Sequence, residues 1–186
     1  MKILPASLLI VSFVSCLGSL PAAGGKDVEV LDFLRMNRNS DGTYEKGYDY
    51  AYQDWETKAV QIPQKGLLVN LTGSKGGLGA DSGPDFGKHT KARISFVLSS
   101  RSRAKSFSFT LVDRDGTDQS FYVPLENLAR GVELAVIVDL TKPSKENNPG
   151  RTPGLNLKKL KTWQLGGDYQ EEPIEILFLR VMAIPD

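Results

Sequence analysis

Asp54-Trp55-Glu56 sets an indole between two carboxylates, and Tyr52 lies two residues before the carboxylate that opens it. An exposed ring offers its face to the C–H patch of a sugar, and neighbouring carboxylates, amides or guanidinium groups take its hydroxyls. Tyr52, Asp54 and Trp55 therefore form one candidate binding cluster. A second set is spread over alternating positions: Arg93 and Ser95, then Ser106, Ser108 and Thr110, then Ser120 and Tyr122, with Gln164 joining them. If Phe107 and Phe121 point into a core, these residues point the other way, as a polar floor of small side chains with one ring. A solvated sheet face and a concave sugar platform are both readings of that floor.

Other residues invite chemistry and support less of it. Asp113, Asp115 and Asp118 could suggest a metal or an acid–base pair, but Asp115-Gly116 is explained by a tight hairpin. His89 is the only histidine. A metal site or nucleophilic triad would need partners at recognisable spacing, and there is no Gly-x-Ser-x-Gly elbow, so His89 reads as a solvated loop residue. The glycine-rich run Gly73 to Gly83, GSKGGLGADSG, lacks the Gly-Lys-Ser/Thr ending of a phosphate loop and precedes no helical pattern; a plain loop is expected. Trp163 shares a face with Leu165 and reads as core. Asn70-Leu71-Thr72 is a glycosylation sequon, relevant only in a eukaryotic secretory pathway.

The elements that must position these groups are strands. Ile94, Phe96 and Leu98 alternate with polar residues, as do Phe107, Phe109 and Leu111, and Phe121, Val123 and Leu125. This predicts three consecutive strands between Ala92 and Leu125, an antiparallel meander with an aromatic core face. Further strands are expected at Val28 to Leu34, Ala59 to Ile62, Gly66 to Leu71, Lys161 to Leu165 and Ile174 to Ile184. Val132 to Leu140, VELAVIVDL, is continuously apolar and predicts a strand covered on both faces. Thr141 to Gly154 reads as a long Pro, Asn and Gly loop, and Gly166 to Pro173 as a turn. No helix longer than about two turns emerges from periodicity, so the chain reads as all-β, two packed antiparallel sheets forming a sandwich.

At the amino end, Lys2, an apolar run from Ile3 to Val14 and the small residues ending at Pro21-Ala22-Ala23 read as a secretory signal over 1–23. Residues 24–27 follow as a linker and 28–186 as one sandwich domain. Val14-Ser15-Cys16 also resembles a bacterial lipobox, with Phe13 where that pattern favours Leu. Cleavage near Ala22 to Gly24 ranks first and lipid anchoring through Cys16 second. The protein is expected to be secreted or periplasmic. The apolar run is shorter than the roughly 20 residues of a membrane span. Lys and Arg number 23 and Asp and Glu 22. Loss of Lys2 with the signal balances them, which argues against a nucleic-acid surface. Cys16 is the only cysteine, so the core and not a disulfide must hold the domain.

The order of features resembles the galactose-binding-domain-like jelly rolls, a superfamily that includes many carbohydrate-binding modules of secreted bacterial proteins. The features are the aromatic-rich entry, the stretch LLVNLTGSKGGLGAD ending at Asp81, Asp85-Phe86-Gly87-Lys88, the hairpin Asp113 to Gly116, a Pro-Gly loop, and Gly154 to Leu160 leading into Thr162-Trp163-Gln164-Leu165. The resemblance implies a jelly-roll sandwich that binds sugars through end loops or a concave sheet, and often a structural calcium near the first and last strands. Glu29, Asp32 and Asp186 are the terminal oxygens such an ion could use, though no Asp-x-Asp-x-Asp-Gly loop is present. The expected function is non-catalytic binding of a polysaccharide or glycan through Tyr52, Asp54, Trp55, Arg93, Tyr122 and Gln164, with no cofactor required. The alternatives are a protein-interaction domain of the periplasm or cell surface, and a small glycan hydrolase or lyase.

Overall fold

The computed structural model describes residues 26–34, 50–51, 58–62, 65–71, 75–81 and 83–185. Twelve strands are found among them: β1 (Val28–Asp32), β2 (Tyr50–Ala51), β3 (Lys58–Ile62), β4 (Gly66–Leu71), β5 (Lys75–Ala80), β6 (Lys91–Leu98), β7 (Ser106–Asp113), β8 (Thr117–Pro124), β9 (Glu133–Asp139), β10 (Lys145–Pro149), β11 (Leu160–Asp168) and β12 (Ile174–Ile184). The described residues contain no helix, and so none long and apolar enough to cross a membrane. One sheet runs β3-β4-β12-β6-β9, with β1 on the half of the β12 edge that β4 leaves open. The other runs β10-β8-β7-β11-β5-β2. Every pairing is antiparallel, and the result is the two-sheet sandwich that the alternation predicts, of the jelly-roll type that the resemblance implies.

Period-two burial explains why these strands pack as two layers. Phe96 of β6 and Phe178 of β12 point inward from the first sheet, Phe107 and Phe109 of β7 from the second, and none is more than 1% exposed. Phe107 meets Phe96 and Phe178 edge-on, with centroids 5.3 and 5.1 Å apart, the arrangement that puts ring edges onto ring faces. Trp163 is 1% exposed and lies 5.7 Å from Phe33, a core residue as its spacing indicated.

Four segments depart from the sequence reading. The three alternating strands are not a meander: β6 belongs to the first sheet, while β7 and β8 form a hairpin in the second. The connection after Leu98 crosses between layers, pinned by fully buried Ser102. Its hydroxyl donates to the Glu175 carbonyl at 2.7 Å and accepts from the Glu175 N–H at 2.8 Å. The glycine-rich run is not a loop, because Lys75–Ala80 is β5, laddered to β11 through six residue pairs. Gly77 stands opposite Gly166 and Gly76 opposite Gly167, so the strand is held by its neighbours' hydrogen bonds and not by its own propensity. Among the described residues the apolar β9 is an edge strand paired on one side, with β6, and Ile137 is 65% exposed. Within the expected Pro-Asn-Gly loop, Lys145–Pro149 pairs with β8 as the opposite sheet's edge.

The β7–β8 hairpin forms as Asp115-Gly116 predicts, with Gly116 at φ 90°. Asp113 is 1% exposed, and its role is structural. One carboxylate oxygen accepts the N–H groups of Asp115 and Thr117 at 2.9 and 3.0 Å, and the other accepts that of Asn156 at 2.9 Å. The hairpin is thereby tied to the turn that leads into β11.

Candidate functional site

The outward face of the second sheet is a groove of about 500 Å³. Its floor follows from strand register. Ser120 of β8 lies opposite Thr110 of β7, which lies opposite Gln164 of β11. One step along, Tyr122 lies opposite Ser108, and Ser108 opposite Gly166. Apart from Tyr122 and Gln164, the outward residues of these rows on β7, β8 and β11 are small, so the face is a trench; long side chains throughout would have filled it.

The floor is tightly hydrogen-bonded. Thr110 and Ser120, each 6% exposed, share a hydroxyl contact of 2.8 Å. The Asn147 amide of β10 donates to Ser120 Oγ and to Asp118 Oδ1, both at 2.9 Å. Ser108 donates to the Gly166 carbonyl at 3.0 Å. Above this floor Tyr122 stands 49% exposed, with its backbone N–H held by Ser144 Oγ at 2.9 Å, so the strand is fixed and the ring is free to serve as a platform. Lys75, Lys145, Asp168 and Gln170 line the remaining rim.

Of the six residues expected to contact sugar, Tyr122 and Gln164 meet in this groove, with Ser106, Ser108, Thr110 and Ser120 of the expected polar floor. Arg93 does not. It lies on β6 in the other sheet, paired across the ladder with Ile137 and Met182, and forms an ion pair with Asp27. Tyr52, Asp54 and Trp55 lie outside the described residues, as does Asp186. Among the described residues no group of three His, Cys, Asp or Glu side chains is placed to hold a metal ion. His89 is half-buried, its ring nitrogen 3.0 Å from the Phe86 carbonyl in a local turn. Sequence reasoning missed Lys75, Lys145, Asn147 and Gln170, all in segments read as loops or turns; their neighbours carry no alternation that would have flagged them.

The two carboxylates that line the groove among the described residues are far apart. Asp118 sits opposite Val112, while Asp168 lies two residues beyond Gly166, the partner of Ser108. At about 3.3 Å per residue they are roughly 20 Å apart, against roughly 5 to 9.5 Å for a pair cleaving a glycosidic bond. Each also holds a local partner, Asp118 the Asn147 amide and Asp168 the Gln170 N–H at 3.0 Å.

A smaller apolar slot of about 430 Å³ lies on the far side of Tyr122, between β8 and β9, lined by Val123, Leu128, Val136 and Ile137 among others. At its rim the Asp139 carboxylate is held well below the usual carboxylate range, first by the Thr141 hydroxyl at 2.6 Å, then by Lys142 and the Thr141 N–H.

No protein-family model matches the chain. No curated protein sequence matches it either. Solved structures do. An agarase superposes with a TM-score of 0.59 at 10% identity, covering 87% of this chain and 25% of that one. An exo-β-agarase gives 0.54 at 13% identity, covering 85% and 25%. The family 11 carbohydrate-binding module of a Clostridium thermocellum cellulosomal cellulase gives 0.48 at 14%, covering 74% and 86%. At these identities the likeness is one of fold, and the chain spans about a quarter of the agarase chains it matches.

Proposed function

We propose that this chain is an exported, non-catalytic carbohydrate-binding domain that holds a polysaccharide or glycan in the groove of the second sheet. The observation that carries this reading is the combination of an exposed Tyr122 ring with a floor of hydroxyl and amide groups fixed by strand register. A sugar presents the complementary surface, apolar C–H faces between rings of hydroxyls, and the groove supplies stacking and hydrogen bonds without moving parts. Binding is favoured over cleavage because Asp118 and Asp168 stand too far apart to act on one glycosidic bond. The fold shared with a quarter of two agarase chains supports the same class, since a domain of that relative size can bind while another part of the chain does the chemistry.

The test is retention of the purified protein on a polysaccharide array headed by agarose, with cellulose, β-glucan, xylan and animal glycans, run with calcium and again with a chelator. Saturable retention of one sugar class that is lost in Tyr122→Ala supports the reading, and silence of a folded sample across the array rejects it. The second reading, a protein-interaction domain at the cell surface, is favoured by a different observation: the apolar slot beside β9, with Ile137 65% and Val132 51% exposed.

A further inference from the structure

The turn joining β11 to β12 is built against the preference of its own residues. The Glu172 N–H donates to the Tyr169 carbonyl at 3.0 Å, closing a two-residue turn whose central residues are Gln170 at φ 53° and Glu171 at φ 67°. Positive φ at both central positions is the type I′ geometry, which favours Asn-Gly and disfavours longer side chains carrying a Cβ. These are the only non-glycine residues with positive φ among the described residues. The β7–β8 hairpin meets its own requirement with Gly116, so glycine is the unstrained solution that this fold uses elsewhere.

The unfavourable turn is held from three sides. Tyr169 is 3% exposed and anchors the first corner in the core. Asp168 Oδ1 accepts the Gln170 N–H at 3.0 Å. Beyond the turn, the Pro173 carbonyl accepts the N–H groups of Arg103 and Ala104 at 2.8 and 3.4 Å. Strained backbone persists where the surroundings over-determine it, and such sites concentrate where a side chain has to be presented in one place. Here that side chain lines the groove: Gln170 stands on its rim with Asp168, and a second amide, Gln164 of β11, lies further along.

Resting on the carbohydrate reading of this groove, we infer that Gln170 is a specificity-determining contact, its amide hydrogen-bonding the hydroxyls of an uncharged sugar unit at the Asp168 end. An amide offers both a donor and an acceptor in one plane, which matches neighbouring hydroxyls on one ring and distinguishes their orientation. Glycine at 170 would relax the turn and leave that end of the groove without the contact.

The experiment compares wild type, Gln170→Gly and Glu171→Gly by calorimetric titration with the oligosaccharide of whichever polysaccharide the array retains, alongside melting curves. Both substitutions relieve positive φ at a side-chain-bearing residue, so neither variant is expected to melt below wild type. Gln170→Gly is expected to bind about tenfold more weakly, the loss of roughly one hydrogen bond, while Glu171→Gly stays within about twofold. Equal affinity of Gln170→Gly and wild type would overturn the assignment while leaving the carbohydrate reading intact. Equal weakening in both variants would assign the effect to turn shape, and a lower melting temperature in both would show that the turn is unstrained; each overturns it too. A wild-type protein that binds nothing on the array defeats the carbohydrate reading, and this assignment with it.

Discussion

The two sheets bury their inner faces by the same alternation and present opposite outer faces. On the first sheet the outward row Leu68, Leu177 and Val97 is half-buried, and pairs such as Arg93 with Asp27 and Arg101 with Glu175 lie over its surface. On the second, the equivalent outward positions carry mostly serine, threonine and glycine, with Tyr122, Gln164 and Asp118 among them, and the face is hollow. The difference is one of side-chain volume at fixed backbone geometry. Outward residues are free of the packing demands of the core, so a small-residue face is a choice the fold does not impose. That is why the groove, and not the more elaborately charged face, is the stronger candidate site.

Filling the hollow should break the contrast most severely. Ser108 lies at the middle of the floor, between Tyr122 and Gly166, and Ser108→Trp would place an indole where the proposed ligand would lie. Binding should fall by more than about 100-fold in titration, whereas the melting temperature should move by no more than about 3 °C, because the new ring projects away from the core. A smaller effect comes from removing the platform: Tyr122→Ala should weaken binding by about 10- to 30-fold, the worth of one stacking ring, with little change in stability since the Ser144 contact is made by the backbone N–H. The first sheet supplies the control. Arg93→Ala should leave binding unchanged and cost at most about 1 kcal/mol in denaturant titration, because both partners of its ion pair are more than a third exposed. Loss of binding in Arg93→Ala with binding retained in Ser108→Trp would reverse the assignment of faces.

What the sequence allowed follows the same division. Strands that bury one face declare themselves, so β7, β8 and the full extent of β12 from Ile174 to Ile184 could be read from alternation, and Tyr122 and Gln164 came with them as outward residues. Which strands are neighbours could not be read that way. A hairpin loop and a crossover between layers both look like a short polar stretch, and only burial of Ser102 and Ala104 separates them, which is how Arg93 was grouped with a face it does not share. Propensity misled in two opposite cases. β5 is a strand despite three glycines because β11 and β2 supply its ladder, and β9 is an edge despite its apolar run. Lys145, Asn147 and Gln170 were invisible for a related reason: they are placed by pairing and turn geometry, which carry no period.

The smallest expected effect sits on the border between the two faces. Asp139 closes β9 beside the apolar slot, and its carboxylate is held below the usual range by the Thr141 hydroxyl, Lys142 and the Thr141 N–H. In the unfolded chain the same group should titrate near the ordinary aspartate value of about 4. The folded state therefore binds the proton more weakly, so the contribution of Asp139 to stability is complete above about pH 4 and is lost as pH falls through the folded value. Asp139→Asn keeps the shape and removes the charge. Its melting temperature should lie slightly below that of wild type by a constant amount from about pH 5 to 8, and the gap should narrow steadily below about pH 4. A gap that stays the same down to pH 2 would mean that the contacts of Asp139 do not depend on its charge. Glycan binding should be the same in both proteins at neutral pH, because the carboxylate lies on the slot side of Tyr122 and not on the groove side. A binding defect there would extend the site across the tyrosine and join the two depressions into one.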